Sequence, residues 1–161
     1  MATKQSLSLL ALLAVAVAAA CLLPSASAAT EFEYCKKHKH YPVKVSGVEI
    51  VPDPIQSGKP ATFKISASTD KTITKGKLVI DVKYYVIAWL VDVHSETDDI
   101  CEKTNCPATG DFELSHGQTL PSITPPGSYM IEMKMLGDND EELSCISFGF
   151  SIGFIAPVAL R

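Results

Sequence analysis

No Gly-x-Ser-x-Gly, His-Glu-x-x-His or phosphate-loop pattern occurs in the 161 residues. Those are the arrangements that set up a nucleophile, a metal-bound water or a bound triphosphate. Asp98 and Asp99 are consecutive, which breaks the alternate-residue spacing of an EF-hand loop. Asn105 is followed by Cys106-Pro107 and Asn139 by Asp140-Glu141, so no N-glycosylation sequon is present. Lys and Arg number 14 against 18 Asp and Glu, for a formal charge of −4. A mildly acidic chain without a basic stripe argues against a nucleic-acid partner. Beyond the N-terminal region no apolar run is long and charge-free enough to span a bilayer. There is no internal repeat, no low-complexity linker and no sustained helical period. No catalytic residue, metal site or cofactor can be nominated from motifs, and non-enzymatic binding remains.

Residues 1–28 differ from the rest. A single basic residue, Lys4, precedes an apolar run from Leu7 to Leu23, which ends at Pro24 and the small residues Ser25 to Ala29. This is the layout of a secretory signal peptide, with cleavage expected after Ala28 or Ala29. An uncleaved membrane anchor is the alternative; the helix-breaking Pro24 and the lack of a stop-transfer flank oppose it. Residues 29–161 are then expected to form one domain, a length that allows a sizeable core.

Cys21 lies in the leader, leaving Cys35, Cys101, Cys106 and Cys145. An even number in an exported chain predicts two disulfides, in one of three connectivities. A local bridge between Cys101 and Cys106 is the simplest choice and would leave Cys35 to pair with Cys145. So long a loop is worth roughly 4–5 kcal/mol in the chain-entropy account. A metal site built from Cys35, His38 and His40 is the rival, and an oxidising compartment disfavours it.

Alternation of period two dominates the remainder. Phe32 to Cys35 is a short strand, and Val43 to Val51 a β-branched one closed by Pro52-Asp53-Pro54. Ala61 to Ser68 sets Phe63, Ile65 and Ala67 against polar neighbours. Lys77 to His94 is the longest extended segment, with Leu78, Ile80, Val82 and Tyr84 on one face. Its alternation fails over Tyr85 to Val91. A strand buried on both faces is one explanation; the length favours a bulge or a break between two strands. Asp111 to Leu114 reads as a short strand. Ser128 to Leu136 alternates through Tyr129, Ile131, Met133 and Met135, and Glu142 to Phe154 through Ile146, Phe148, Phe150 and Ile152, with a turn at Gly137 to Asp140 between them. About seven strands punctuated by turns indicate an all-β, immunoglobulin-like sandwich.

Two of the four histidines lie in the basic cluster Lys36-Lys37-His38-Lys39-His40. It reads as a solvated surface segment that could aid docking to anionic headgroups. His94 and His116 have Asp92, Glu96 and Glu113 nearby in sequence, neighbours that acid-rich loops supply by chance. Met130, Met133 and Met135 share one strand, and methionine re-packs readily around varied ligands. Simple packing of two sheets explains the same pattern.

In order and spacing, five segments closely resemble the ML-domain (lipid-recognition) family. They are Phe32-Glu33-Tyr34-Cys35, the Val45 to Pro52 stretch, Cys101-x4-Cys106-Pro107, Pro125-Pro126-Gly127-Ser128-Tyr129, and Leu143-Ser144-Cys145-x-Ser147-Phe148. The resemblance runs from about Glu31 to Ile155 and is nearest to the plant members. The family includes the Niemann-Pick type C sterol carrier and phosphatidylglycerol/phosphatidylinositol transfer proteins. It also includes a Toll co-receptor whose additional cysteines this chain lacks. The resemblance implies splayed sheets with an apolar cavity between them, and supports the bridges Cys35–Cys145 and Cys101–Cys106.

It further implies a sterol or phospholipid ligand, transient contact with a membrane, and no enzymatic step. A lipid-dependent partnership with a membrane receptor or signalling protein is the alternative function. The secretory route would deliver the chain outside the cell, to the apoplast, or to a vacuolar or endosomal lumen. On this view Phe63, Ile65, Ile80, Val82, Tyr84 and Tyr129 face the cavity, together with Ile131, Met133, Met135, Ile146, Phe148 and Phe150. Ile87, Trp89 and Ile123 would rim its mouth, with Trp89 touching membrane during exchange.

Overall fold

Alternating side chains do become alternating burial. The computed structural model describes residues 29–153; the expected leader, residues 1–28, and the last eight residues lie outside the described residues. Among the described residues there are nine strands: β1 (Phe32–Tyr34), β2 (Val43–Val51), β3 (Ile55–Gln56), β4 (Pro60–Ile73), β5 (Lys77–Val86), β6 (Trp89–Asp99), β7 (Ala108–Thr119), β8 (Gly127–Leu136) and β9 (Glu142–Gly153). A single turn of helix, α1 (Ile100–Lys103), joins β6 to β7. Asp99 caps it, its carboxylate accepting from the Cys101 N–H at 2.7 Å.

The strands form two layers. One sheet runs β1-β9-β8-β5-β6, with β3 adding to β9 in parallel; the other runs β2-β4-β7. All other pairings are antiparallel. In register, Ile80 lies opposite Met133, which in turn lies opposite Ile146. Those side chains meet Val43, Val48, Ile65 and Leu114 of the second sheet in one continuous core. Burying each large aliphatic side chain of this kind contributes roughly 1.5–3 kcal/mol. Both disulfides form as expected, Cys35–Cys145 and Cys101–Cys106. The first ties the end of β1 to β9, and the second closes the α1 loop.

The strand count exceeds the seven expected by two: β3, with only two residues, is too short for any periodicity to register, and the long segment from Lys77 forms two strands. The segment expected from Lys77 to His94 divides at Ile87-Ala88 into a hairpin, with Val86 opposite Trp89. The apolar run Tyr85 to Val91 is therefore not a strand buried on both faces. It is a hairpin tip, with Ile87 at 100% and Trp89 at 75% exposure. β7 also extends well past the short strand expected at Asp111 to Leu114, pairing with β4 from Pro60↔Thr119 to Ile73↔Ala108.

Candidate functional site

Towards the end of the sandwich that carries the β5–β6 tip, the sheets part around a cavity of about 390 Å³. That volume is in the range of small-molecule sites. Inward-facing positions of β4, β5, β8 and β9 supply its apolar wall, and the Pro121–Gly127 segment lies across its mouth. Four aromatic rings line the wall in succession: Tyr84 to Tyr129 at 4.8 Å between centroids, Tyr129 stacked on Phe150 at 5.3 Å, and Phe150 edge-on to Phe63 at 5.6 Å. The Tyr129 hydroxyl donates to the Pro125 carbonyl at 2.7 Å, so the ring is apolar towards the cavity and satisfied at its far end. Burial also raises the Tyr129 pKa, chiefly by desolvation. The mouth segment is pinned as well by Ser57 Oγ to the Thr124 carbonyl at 2.7 Å. Gly127, at φ 146°, fits because a Cβ there would meet the Tyr84 ring at 2.9 Å.

Of the twelve residues expected to face the cavity, Phe63, Ile80, Val82, Tyr84, Tyr129, Ile131 and Phe150 line it. Ile65, Met133, Met135, Ile146 and Phe148 point inward too, but lie in the closed part of the core. Alternation marks an inner face along the whole length of a strand and carries no information on where the sheets separate. Of the expected rim, Ile123 lines the mouth at 88% exposure. Ile87 and Trp89 do not touch the cavity; they stand beyond it at the hairpin tip.

The wall has one polar strip, where edge strands β6 and β7 of the two sheets face each other. His94, Glu96, His116 and Gln118 line the cavity there. His116 is only 3% exposed. Its Nε2 lies 3.0 Å from Glu96 Oε1 and its Nδ1 3.4 Å from Asp98 Oδ2. Lys103 Nζ pairs with the same Asp98 oxygen at 3.0 Å, and His94 Nε2 stands 3.4 Å from Glu96. Neither His116 Nδ1 nor Asp98 Oδ2 makes a well-aligned hydrogen bond. Burial, with Lys103 adding to it, holds the His116 pKa below its ordinary value against the opposing pull of Glu96 and Asp98. Of the acids noted beside the histidines in sequence, Glu96 is a true partner of both His94 and His116, whereas Asp92 pairs with Lys83; the second acid on His116 is Asp98, which the sequence does not single out. The sequence signal was the alternation Leu114, His116, Gln118, Leu120, which continues the inward face of β7.

The donor atoms of Glu96, Asp98 and His116 lie within 4.8 Å of one another. The imidazole stands between the two carboxylates, one on each ring nitrogen, and an ammonium already neutralises Asp98. A divalent cation would have to displace one of them, so the trio is poorly suited to a metal. Cys35, the centre of the rival metal site, is spent in a disulfide. The basic cluster from Lys36 to His40 follows β1 at the Cys145 end. There Lys39 donates to Glu142 at 2.7 Å and holds its carboxyl below the usual carboxylate range. From Tyr129 to Met135 the register spans about 20 Å of strand. The cluster and the hairpin tip therefore occupy opposite ends of the sandwich.

Comparison with known proteins agrees with this architecture. The sequence pattern of the ML domain matches residues 29–152. An Arabidopsis thaliana MD-2-related lipid-recognition protein is 34% identical over 97 residues, covering 60% of this chain and 56% of that protein. A Kluyveromyces lactis phosphatidylglycerol/phosphatidylinositol transfer protein is 28% identical over 123 residues, covering 70% of this chain and 69% of its own length. A Niemann-Pick type C2 protein from the Japanese carpenter ant superposes with a TM-score of 0.57 at 18% identity, covering 76% of this chain and 99% of that one. The pattern match extends through every strand of both sheets but the final residue of β9, and on that ground the chain belongs to the ML-domain family.

Proposed function

We propose that this protein is a lipid carrier of the secretory route, holding one sterol or phospholipid acyl portion between its sheets and exchanging it with membranes at the hairpin end. The observation that carries this is the apolar cavity of about 390 Å³. Moving each methylene from water into such a site contributes about 0.8 kcal/mol, so a sixteen-carbon chain offers on the order of 12 kcal/mol before ordering costs. No charge is needed inside, and the function is one of binding without a chemical step.

The hairpin tip supports the exchange half of the proposal. Val86, Ile87, Trp89, Leu90 and Val91 are all exposed, with no charged residue among them. Tryptophan beside aliphatic side chains favours a membrane interface, and an exposed apolar patch of this kind marks a contact surface. Tyr84, at the base of the hairpin, bonds the Pro126 carbonyl at 3.3 Å and so connects the tip to the mouth segment. The two disulfides suit an oxidising compartment outside the cell or in a vacuolar or endosomal lumen.

The test is mass spectrometry of lipids extracted from the purified protein after incubation with mixed membranes. A stoichiometric sterol or phospholipid is expected, and Ile131→Trp, which fills the cavity, should lose it while keeping both disulfides. Protein that returns empty from every common lipid class, or an Ile131→Trp variant that binds as well as the parent, overturns the proposal.

A further inference from the structure

The sheets meet at two seams, and the one beside the cavity has an unusual closure. β6 and β7 are edge strands of different sheets with no backbone pairing between them. They are joined covalently only at the far end, through α1 and the Cys101–Cys106 loop, which is the arrangement of a hinge. Among the described residues, the close contacts between titratable side chains of one sheet and those of the other all converge on His116.

The hydrogen bonding around that ring is incomplete. With Nε2 protonated, the ring donates towards Glu96, and the bare Nδ1 then faces Asp98 Oδ2 at 3.4 Å, acceptor against acceptor. A second proton would fit between them, but it would place an imidazolium in a site that is almost wholly buried. Glu96, at 3.0 Å from Nε2, and Asp98 both attract that charge, but Lys103 already holds Asp98 at 3.0 Å and the desolvation of a nearly buried ring outweighs their pull. The remaining groups near the ring are His94, which adds no negative charge, and Phe63 of β4, with centroids 6.2 Å apart. An imidazolium is better accommodated in water than here.

We propose that His116 is a proton-operated latch on the β6–β7 seam: neutral, it sits between Glu96 and Asp98 and closes the cavity, and on acidification it leaves for solvent and the seam opens. The sign follows from linkage. The open form exposes an ordinary imidazole and binds the proton more readily than the closed form, so falling pH shifts the balance towards opening. The latch deepens the carrier proposal by giving the same cavity a regulated exit, and its consequence for cargo rests on that proposal.

The experiment has two arms. In the first, amide hydrogen exchange of the ligand-free protein, corrected for intrinsic rates, compares β6 and β7 with β1 and β2 at pH 7.5 and pH 5. Opening of β6 and β7 should rise by about fivefold or more, the low end of ordinary ligand–conformation coupling, with β1 and β2 unchanged. His116→Gln should abolish the difference. Lys103→Met, which leaves the ring in place and frees Asp98 to meet its charge, should shrink it. A Lys103→Met variant that instead loosens the seam equally at both pH values shows a strut rather than a latch. An unchanged pH response in His116→Gln likewise overturns the proposal. Should His116→Gln fail to fold, Lys103→Met decides alone. In the second arm, a pyrene-labelled fatty acid is transferred to phosphatidylcholine vesicles, with faster transfer expected at pH 5 in the parent protein only. A probe that never binds, with the exchange response intact, sinks the carrier proposal and leaves the latch standing; transfer without the exchange response does the reverse.

Discussion

Backbone and hydroxyl hydrogen bonds and a disulfide hold the β1–β2 seam, whereas the β6–β7 seam depends on a buried titratable group. At the first, the Tyr34 hydroxyl accepts from the Val45 N–H at 2.9 Å and lies 3.4 Å from the Val45 carbonyl. The Thr30 N–H reaches the Val48 carbonyl at 2.8 Å, the Tyr34 ring stacks on Tyr41, and Cys35–Cys145 anchors the strand behind them. At the second, one imidazole spans the gap beside a cavity. A seam of backbone and hydroxyl hydrogen bonds does not rest on the protonation state of a buried imidazole. A seam that depends on a neutral histidine is strong only while water's protons are scarce. The same fold thus has a permanent edge and a conditional one, and the cavity lies against the conditional edge.

That contrast can be broken at several points. Replacing both Cys35 and Cys145 by serine should have the largest effect, a loss of roughly 2–5 kcal/mol on removing a bridge that closes so long a loop. Urea denaturation checks it, and a loss under 1 kcal/mol would mean that the first seam does not rely on its staple. Tyr34→Phe removes the acceptor for a part-buried backbone N–H and should cost about 1–3 kcal/mol, with ligand binding unaltered. Reduced ligand retention in that variant would show that both seams gate the cavity.

The hairpin tip offers a gain instead of a loss. Ile87 adopts φ 58°, a left-handed conformation that a β-branched side chain disfavours. Ile87→Asn should stabilise the fold by about 1 kcal/mol in thermal unfolding while weakening vesicle association, since asparagine tolerates that conformation and carries no apolar surface. Equal membrane association by the two proteins would remove the tip from the exchange mechanism.

The smallest expected effect is the most specific, and it separates the seams by pH. The folded pKa of His116 is lowered, so its contribution is present above the ordinary imidazole value of about 6.5 and is lost as pH falls below it. Glu142, beside the first seam, also has a lowered pKa, chiefly through the Lys39 hydrogen bond. Its contribution is present above the ordinary carboxylate value of about 4.3 and is lost only below that. Stability against pH should therefore fall in two steps. His116→Gln should delete the upper step, and Glu142→Gln the lower one.

Strand identity was legible residue by residue wherever one face is buried. The phases of β4, β8 and β9 follow directly from Phe63, Ile131 and Ile146 and their alternate neighbours, whereas β2 changes phase at a bulge between Val45 and Gly47 that its composition did not reveal. β7 was legible only in part, because Gly110, Gly117 and several polar residues dilute its pattern, and His116 was passed over as a consequence. A histidine on an inward face reads as unremarkable until the strand opposite is known.

By itself, the sequence determined the two-sheet class, the inward faces of β4, β5, β8 and β9 and the family resemblance, since these depend on local periodicity and ordered motifs; it left three cysteine connectivities open, among which the resemblance supported the one observed. Tertiary structure alone decided where the inner faces part to leave a cavity rather than close into core. It also decided that an apolar run is a hairpin tip in solvent, and that His116 lies between Glu96 and Asp98. Each of these depends on which strands become edges and how far apart the sheets stand, and such long-range distances leave no trace in the spacing of residues along one chain.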